Sequence, residues 1–405
     1  MTRPTLWTST LGLALVLSAC EAGDKAAEPA RETSSAPSTA PAKDDDAKPS
    51  DGVPDKAHRV VFADRSSMGY LLLVDAVQEP EAPTREQLKT MVKKAFAANL
   101  DDEEVQLLLY LIDQQPKGTE DSLELDKDDV RNAQLRRLAA RDDLIALHID
   151  VKSVSDVIPA KAFDDPVLMR DLPRSELPTL PRRKWAILLR ADYRCQKGFR
   201  GLRLLQALVR VVATETGAIV HDPDLLETMD VPAFTRRRLQ SGMGNVADQV
   251  AVVPFPDPRH GKGFFRLSTR GMRRFGSVDL ELDGLPGKPA RLQQGTDLLA
   301  GLASVMARES EVSETGIAIE LDEVVPIFAS DVDKAYAGHS RRPSRCEDCP
   351  GQVLVHVVER DHEDQDPVDH LTARVVAPRT TSDKGDYEHP TWALKALDSL
   401  FGPVP

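Results

Sequence analysis

The sequence predicts an α+β protein: a mixed or mainly antiparallel sheet with packed helices, preceded by a signal peptide and a disordered tether. Three observations carry this. Strand-like runs follow one another directly late in the chain instead of alternating with helices. Several stretches repeat apolar residues at helical spacing. Residues 1–56 hold one apolar run and then only small, polar and Pro-rich sequence.

The elements read in order. Tyr70–Val77 is a buried strand. Thr84 caps a helix with Gln87 at the capping-box position, and Leu88, Met91, Val92, Ala95 and Phe96 form its apolar stripe. Val105–Ile112 is apolar enough for either helix or strand, Val130–Ala140 is helical, and Leu144–Val151 is a strand. Trp185–Arg190 is a strand, and Phe199–Glu215 is the clearest helix, with Leu202, Leu205, Leu208, Val209 and Val212 on one face. Short strands follow at Ala218–His221, Val250–Phe255, Phe264–Leu267 and Val278–Leu282. Thr296–Arg308 is a helix with Leu298, Leu299, Leu302, Val305 and Met306 inward, and Gly316–Leu321 is a strand. Val353–Glu359 and Leu371–Ala377 read as two arms of a hairpin, and Thr391–Phe401 closes the chain as a helix.

Composition bounds the function. The chain has 405 residues, 41% hydrophobic and 29% charged, which excludes a polytopic membrane protein, a collagen and a fully disordered chain. Lys and Arg number 52 against 65 Asp and Glu, a net charge of -13 that argues against a general nucleic-acid binder. With 4 Cys it is not a disulfide-built small scaffold.

The expected organisation has five parts: a signal peptide at 1–19, a modified Cys20 with a disordered linker to 56, an amino-terminal α+β part at 57–164, a Pro-rich connector at 165–183, and a carboxy-terminal α+β part at 184–405, with one domain continuous across 57–164 and 184–405 as the alternative. Leu6–Leu17 is too short to span a bilayer as a mature helix and fits the core of a secretory signal. The following Leu17-Ser18-Ala19-Cys20 resembles the lipobox of bacterial lipoproteins. That resemblance implies a diacylglyceryl group on the Cys20 sulfur, cleavage before Cys20, and an acyl chain such as palmitate on the freed amine. An ordinary secretory signal or a short anchor is the alternative. Two or three chains, at ~0.8 kcal/mol per buried CH₂, would hold the protein on a membrane. Glu21–Lys56 is too poor in apolar residues to offset its ordering entropy.

A second likeness lies further on. Ser268–Leu282 carries Thr269-Arg270-Gly271, Phe275-Gly276 and Asp279-Leu280-Glu281, and resembles a segment of an uncharacterised bacterial domain family. The resemblance spans roughly residues 70–324. It implies an α+β fold and transfers no activity.

Four groups of residues could carry chemistry, each with a plain counter-reading. Cys346 and Cys349 have the spacing of a redox or zinc pair, but no helix follows Cys349 and no second Cys pair exists. Only Cys195 and His339 could complete a metal set. A loop-bracing disulfide explains them in an oxidising compartment. His221, Asp222 and Asp224 at a strand end could supply a hydrolase's base and orienter, or simply an Asp-capped turn. Arg259, His260, Arg270 and Arg273, with Arg236–Arg238, Lys262, Arg266 and Arg274 nearby, could bind an anion or balance acidic faces. Asp361–His370 is rich in ligand types but reads as a hairpin tip. Gly242–Ala247 matches a dinucleotide fingerprint only in letters, since no buried strand precedes it.

No complete catalytic set and no cofactor site emerges. The expectation is a membrane-anchored envelope lipoprotein acting as a non-catalytic binding or interaction module. The envelope hydrolase on His221, Asp222 and Asp224 and the zinc or redox role at Cys346 and Cys349 are the alternatives. Its partners would be membrane lipid through Cys20 and an envelope protein or ligand, not nucleic acid.

Overall fold

The computed structural model describes residues 60, 62–63, 65–113, 144–195, 199–239, 246–309, 321–337, 341–363, 366 and 371–404. The signal-like segment, Cys20, the tether, the helix expected at 130–140, His339 and most of the strand expected at 316–321 lie outside these residues. The fold is α+β, built on two sheets.

The first sheet has the order β2-β3-β1-β4-β5, with every neighbour antiparallel. Its strands are β1 (Arg65–Val74), β2 (Leu144–Ser153), β3 (Trp185–Arg194), β4 (Ile219–Asp222) and β5 (Glu227–Met229). β3 lies between β1 and β2, so the chain on both sides of the 165–183 connector builds one sheet. The expected boundary there does not divide the fold.

Strand alternation gives this sheet two apolar faces. Met68, Tyr70 and Leu72 of β1 pack with the helices α1 (Arg85–Ala95), α2 (Glu103–Asp113) and α3 (Arg200–Thr216). Leu71 and Leu73 point the other way, and the connector region covers them. Ile158, Met169, Leu172 and Leu180 are buried against Leu71, Leu73, Ala186 and Ile219. The Pro-rich stretch is therefore a lid of short turns, not the extended linker its composition suggests. Arg183 fastens it, donating through Nη1 to the Leu73 carbonyl at 2.8 Å and the Gly217 carbonyl at 3.1 Å.

Local sequence explains the helices. Thr84 and Gln87 form the expected reciprocal capping box on α1. The apolar run 105–112 resolves as helix α2, packed beside α1 and α3. α3 runs as expected and ends at Gly217 with φ +60°.

The second sheet has the order β6-β7-β8-β11-β10-β9. It comprises β6 (Ala251–Pro256), β7 (Phe264–Arg270), β8 (Asp279–Pro286), β9 (Val325–Phe328), β10 (Gln352–Arg360) and β11 (Thr372–Val376). β10 and β11 pair antiparallel, as the hairpin pattern suggests, and β11 runs parallel to β8, which makes this sheet mixed. Leu280 and Leu282 of β8 join the core with α4 (Pro289–Glu309) and α6 (His389–Phe401), and the short α5 (Ala329–Ala335) packs on α4. α4 begins earlier than expected because Pro289 opens it, where the missing N–H is harmless. Gly295 lets α4 lie close on the sheet: a Cβ there would stand 2.6 Å from Leu267 Cδ1 and 2.7 Å from Leu285 Cδ1.

The turn 271–276 between β7 and β8 ties the two sheets together. The Ala63 amide donates to the Gly276 carbonyl at 2.7 Å, and the Tyr193 hydroxyl donates to the Arg274 carbonyl at 2.8 Å. Thr269 Oγ1 donates to Asp279 at 3.0 Å and accepts from the Leu280 amide at 2.7 Å. Gly276 has φ +67°, and a Cβ on it would meet the Ala63 carbonyl at 2.6 Å and Cys195 Sγ at 2.7 Å. The Thr-Arg-Gly, Phe-Gly and Asp-Leu-Glu residues thus serve the fold. Among the described residues, no helix is long and apolar enough to cross a membrane.

Candidate functional site

His221 and Asp222 are adjacent on β4, so they point to opposite faces of the sheet. His221 lies on the Ile219 side under the connector lid, with Nδ1 2.9 Å from Thr228 Oγ1. It is 1% exposed, and burial pushes its pKa down to about 4 despite the nearby Asp222 charge. Asp222 lies on the other side. It meets Arg238 at 3.2 Å and Arg274 at 3.3 Å, and its Oδ1 accepts from the amides of Asp224 and Leu225. Burial works to raise the Asp222 carboxyl, but the Arg274 and Arg238 guanidiniums outweigh it and hold it low. Asp224 is clasped by Arg273 through both carboxylate oxygens.

These residues belong to a larger buried network. Arg237 reaches Asp171 at 2.5 Å and Glu227 and Asp248 at 3.0 Å each. Arg238 adds Glu227 at 3.2 Å, and Arg274 donates to Gln249 at 3.1 Å. The three hydrolase candidates therefore do not converge on a substrate. Asp222 and Asp224 neutralise arginines, and His221 faces away from both. A groove of about 240 Å³ lies elsewhere, between α2 and α3, lined by Phe96, Val105, Leu108, Arg203, Leu204 and Leu239 among others, with no His or Cys.

The anion-site candidates are also committed. Arg273 is on Asp224, and His260 Nδ1 is 2.7 Å from Asp257 Oδ2. Arg259 meets Glu281 at 3.0 Å, Asp257 and Glu363 at 3.2 Å and Asp283 at 3.5 Å. Arg270 closes β7 opposite Ala251, apart from this cluster. Arg259, His260 and Arg273 thus face carboxylates of their own chain, and Arg270 stands apart from them.

Those carboxylates come from β8. Its sequence alternates Asp279, Glu281 and Asp283 with Leu280 and Leu282, so one face is core and the other is a buried row of acids. Arg266 and Arg374 answer them from the neighbouring strands β7 and β11, and Arg360 from β10 beyond. Glu363 and Asp366 join from the 361–366 stretch, where Asp366 meets Arg360 at 2.7 Å and caps the Glu363 amide at 2.8 Å. The described part of the expected hairpin tip is thus held by ion pairs.

At the end of this row, Asp257, His260 and Asp283 each offer a ligand atom within 4.8 Å of the others. Burial works to raise Asp283, but His389, Arg374 and Arg259 hold it well below the usual carboxylate range. Burial also opposes the Asp257 charge, and the Gly284 amide, His260 and Arg259 overcome it. Of this group only His260 stood out in the sequence. Asp283 extends the Asp279–Glu281 alternation by one step, and Asp257 lies three residues before His260. His389 precedes the expected start of the last helix and carried no signal of its own.

Cys346 and Cys349 form a disulfide, and both sulfurs lie against Gly402. Joined in this way, neither is a thiolate for zinc. Cys195 is a buried thiol in the core. No protein-family model matches the chain, and neither a curated protein nor a solved structure matches it.

Proposed function

We propose that this chain is a lipid-anchored lipoprotein of the bacterial envelope whose folded part works as a binding or interaction module. One observation carries the reading: the apolar run Leu6–Leu17, the small residues Ser18 and Ala19, Cys20 and a polar tether occur in the order that lipid modification requires. The committed partners of Asp222, Asp224 and Arg273 support a structural role for the residues that would otherwise suggest catalysis. The likeness of Ser268–Leu282 to an uncharacterised bacterial domain family is part of the same proposal and adds no activity.

A binding surface is supported at the edge of the second sheet. Among the described residues β9 is the outermost strand, and Phe328 and Leu354 are 43% and 45% exposed, with Pro326, opposite Leu354, also exposed. These three alternate onto one face and make an apolar strip beside a strand edge, the type of surface that takes a protein partner. Intact mass spectrometry of the detergent-extracted protein tests the anchor. The expected product lacks residues 1–19 and carries fatty adducts at Cys20, and Cys20→Ala moves the protein to the aqueous fraction. Retention of residues 1–19 without a fatty adduct overturns the reading.

A further inference from the structure

The acid row on β8 ends in an unfinished arrangement. Asp283 is fully buried, and its two cationic neighbours share one oxygen: Arg374 Nη2 lies 2.6 Å and Arg259 Nη2 3.5 Å from Oδ2. Its Oδ1 accepts no hydrogen bond. His389 Nε2 stands 2.7 Å from that Oδ1, an ion-pair distance, without the alignment of a hydrogen bond. His260 Nε2 is a third buried polar atom without a partner, on a side chain 6% exposed. A buried polar atom left unsatisfied is costly. Asp283 Oδ1 and His389 Nε2 are adjacent, and His260 offers a ligand atom within 4.8 Å of one from Asp283.

The far side of each imidazole is held. His260 Nδ1 is bound to Asp257 Oδ2 at 2.7 Å, and that oxygen is fixed in turn by the Gly284 amide at 2.9 Å. His389 Nδ1 is 2.9 Å from the Tyr387 hydroxyl. Metal-bound histidines are held in this way, with the ring nitrogen away from the ion engaged by a carboxylate or other polar group. The two ring centroids are 6.0 Å apart, within about 1 Å of the roughly 5 Å that two imidazoles on one tetrahedral zinc would show.

We propose that His260 Nε2, His389 Nε2 and Asp283 Oδ1 form a binding site for a divalent transition-metal ion of the zinc class, with Asp257 and Tyr387 as positioning residues. The donor set of two imidazoles and one carboxylate suits zinc, whereas calcium and magnesium prefer oxygen ligands alone. Arg374 and Arg259 leave Oδ1 for the ion because both engage Oδ2. The ion would join the turn 257–260, strand β8 and the first residue of α6, segments far apart in the sequence.

The test uses the full chain in detergent, stripped with a chelator and titrated with zinc chloride alone by calorimetry. One zinc per chain is expected. His260→Ala and His389→Ala each weaken binding by at least roughly 100-fold, and Asp257→Asn weakens it roughly 10–100-fold. His221→Gln keeps one zinc. Cobalt chloride on the unmutated protein gives the visible absorption of a tetrahedral site, a readout that needs no variant to fold. Absence of zinc uptake by the unmutated protein, a colourless cobalt titration, or unchanged affinity in both histidine variants overturns the site. It would leave His389 and Asp283 as a simple ion pair.

Discussion

Two buried charge networks can be compared, one around Asp222 in the first sheet and one around Asp283 in the second. Both match carboxylates with guanidiniums at positions of almost no exposure. In the first, the unpartnered polar atom is Arg238 Nε, a donor that no cation can use. In the second, Arg360 Nε and Arg374 Nε are likewise unpartnered donors, but imidazoles share the work with arginines and three acceptor-capable atoms are left over as well. Arginine offers only donors, so acids and arginines can close on themselves. Histidine carries a lone pair, and a network that includes it can receive an ion.

The largest expected effect tests the closed network. Arg274→Ala leaves Asp222 as a buried charge short of one of its two arginines and is expected to cost about 3–5 kcal/mol in denaturant unfolding. A loss below 1 kcal/mol would mean that water reaches this network.

The next effect is in pH. His221 titrates near 4 when folded and near its ordinary value of 6.5 when unfolded. Between those values the unfolded chain binds the extra proton, so stability falls as pH drops from 6.5 toward 4. Asp222 and Asp283 are held low, so their contribution is lost only at still lower pH. Unfolding at pH 7 and pH 4.5 is expected to differ by about 2–3 kcal/mol more in the unmutated protein than in His221→Gln. His356, also lowered by burial, keeps a residual slope in the variant. Equal slopes would place His221 in contact with solvent.

The smallest effect concerns the disulfide, which belongs to neither network. Its loop is short, with a sequence separation of 3, so the Cys346→Ser/Cys349→Ser double variant is expected to lose about 2 kcal/mol or less. Its zinc content should stay at one per chain, because the ion is assigned to His260, His389 and Asp283. Loss of zinc in this variant would move the metal to the sulfurs.

Legibility in the sequence followed the range of the interactions. The capping box at Thr84 and Gln87 and the leucine stripe of α3 are local, and both were readable. The 105–112 run stayed ambiguous because a fully apolar segment has no period. β5 and β9 are too short to carry one. The connector misled because Pro marks a break in regular structure whether the segment then lies in solvent or over a core. The site was harder still. His221, Asp222 and Asp224 stood out as neighbours in sequence, yet strand alternation turns His221 away from the other two. Asp257, Asp283 and His389 meet across more than a hundred residues, and only tertiary contacts bring them together.

The position of β3 has one more consequence. Arg65 at the start of β1 pairs with Arg194 at the end of β3, and β1's other neighbour, β4, comes later still. A chain threaded through a membrane amino terminus first would expose β1 long before either partner arrived. The first sheet cannot close until residue 229 has emerged, so maturation of this protein would wait on its middle rather than its beginning. A chaperone that holds the leading segment would have its binding window set by that delay.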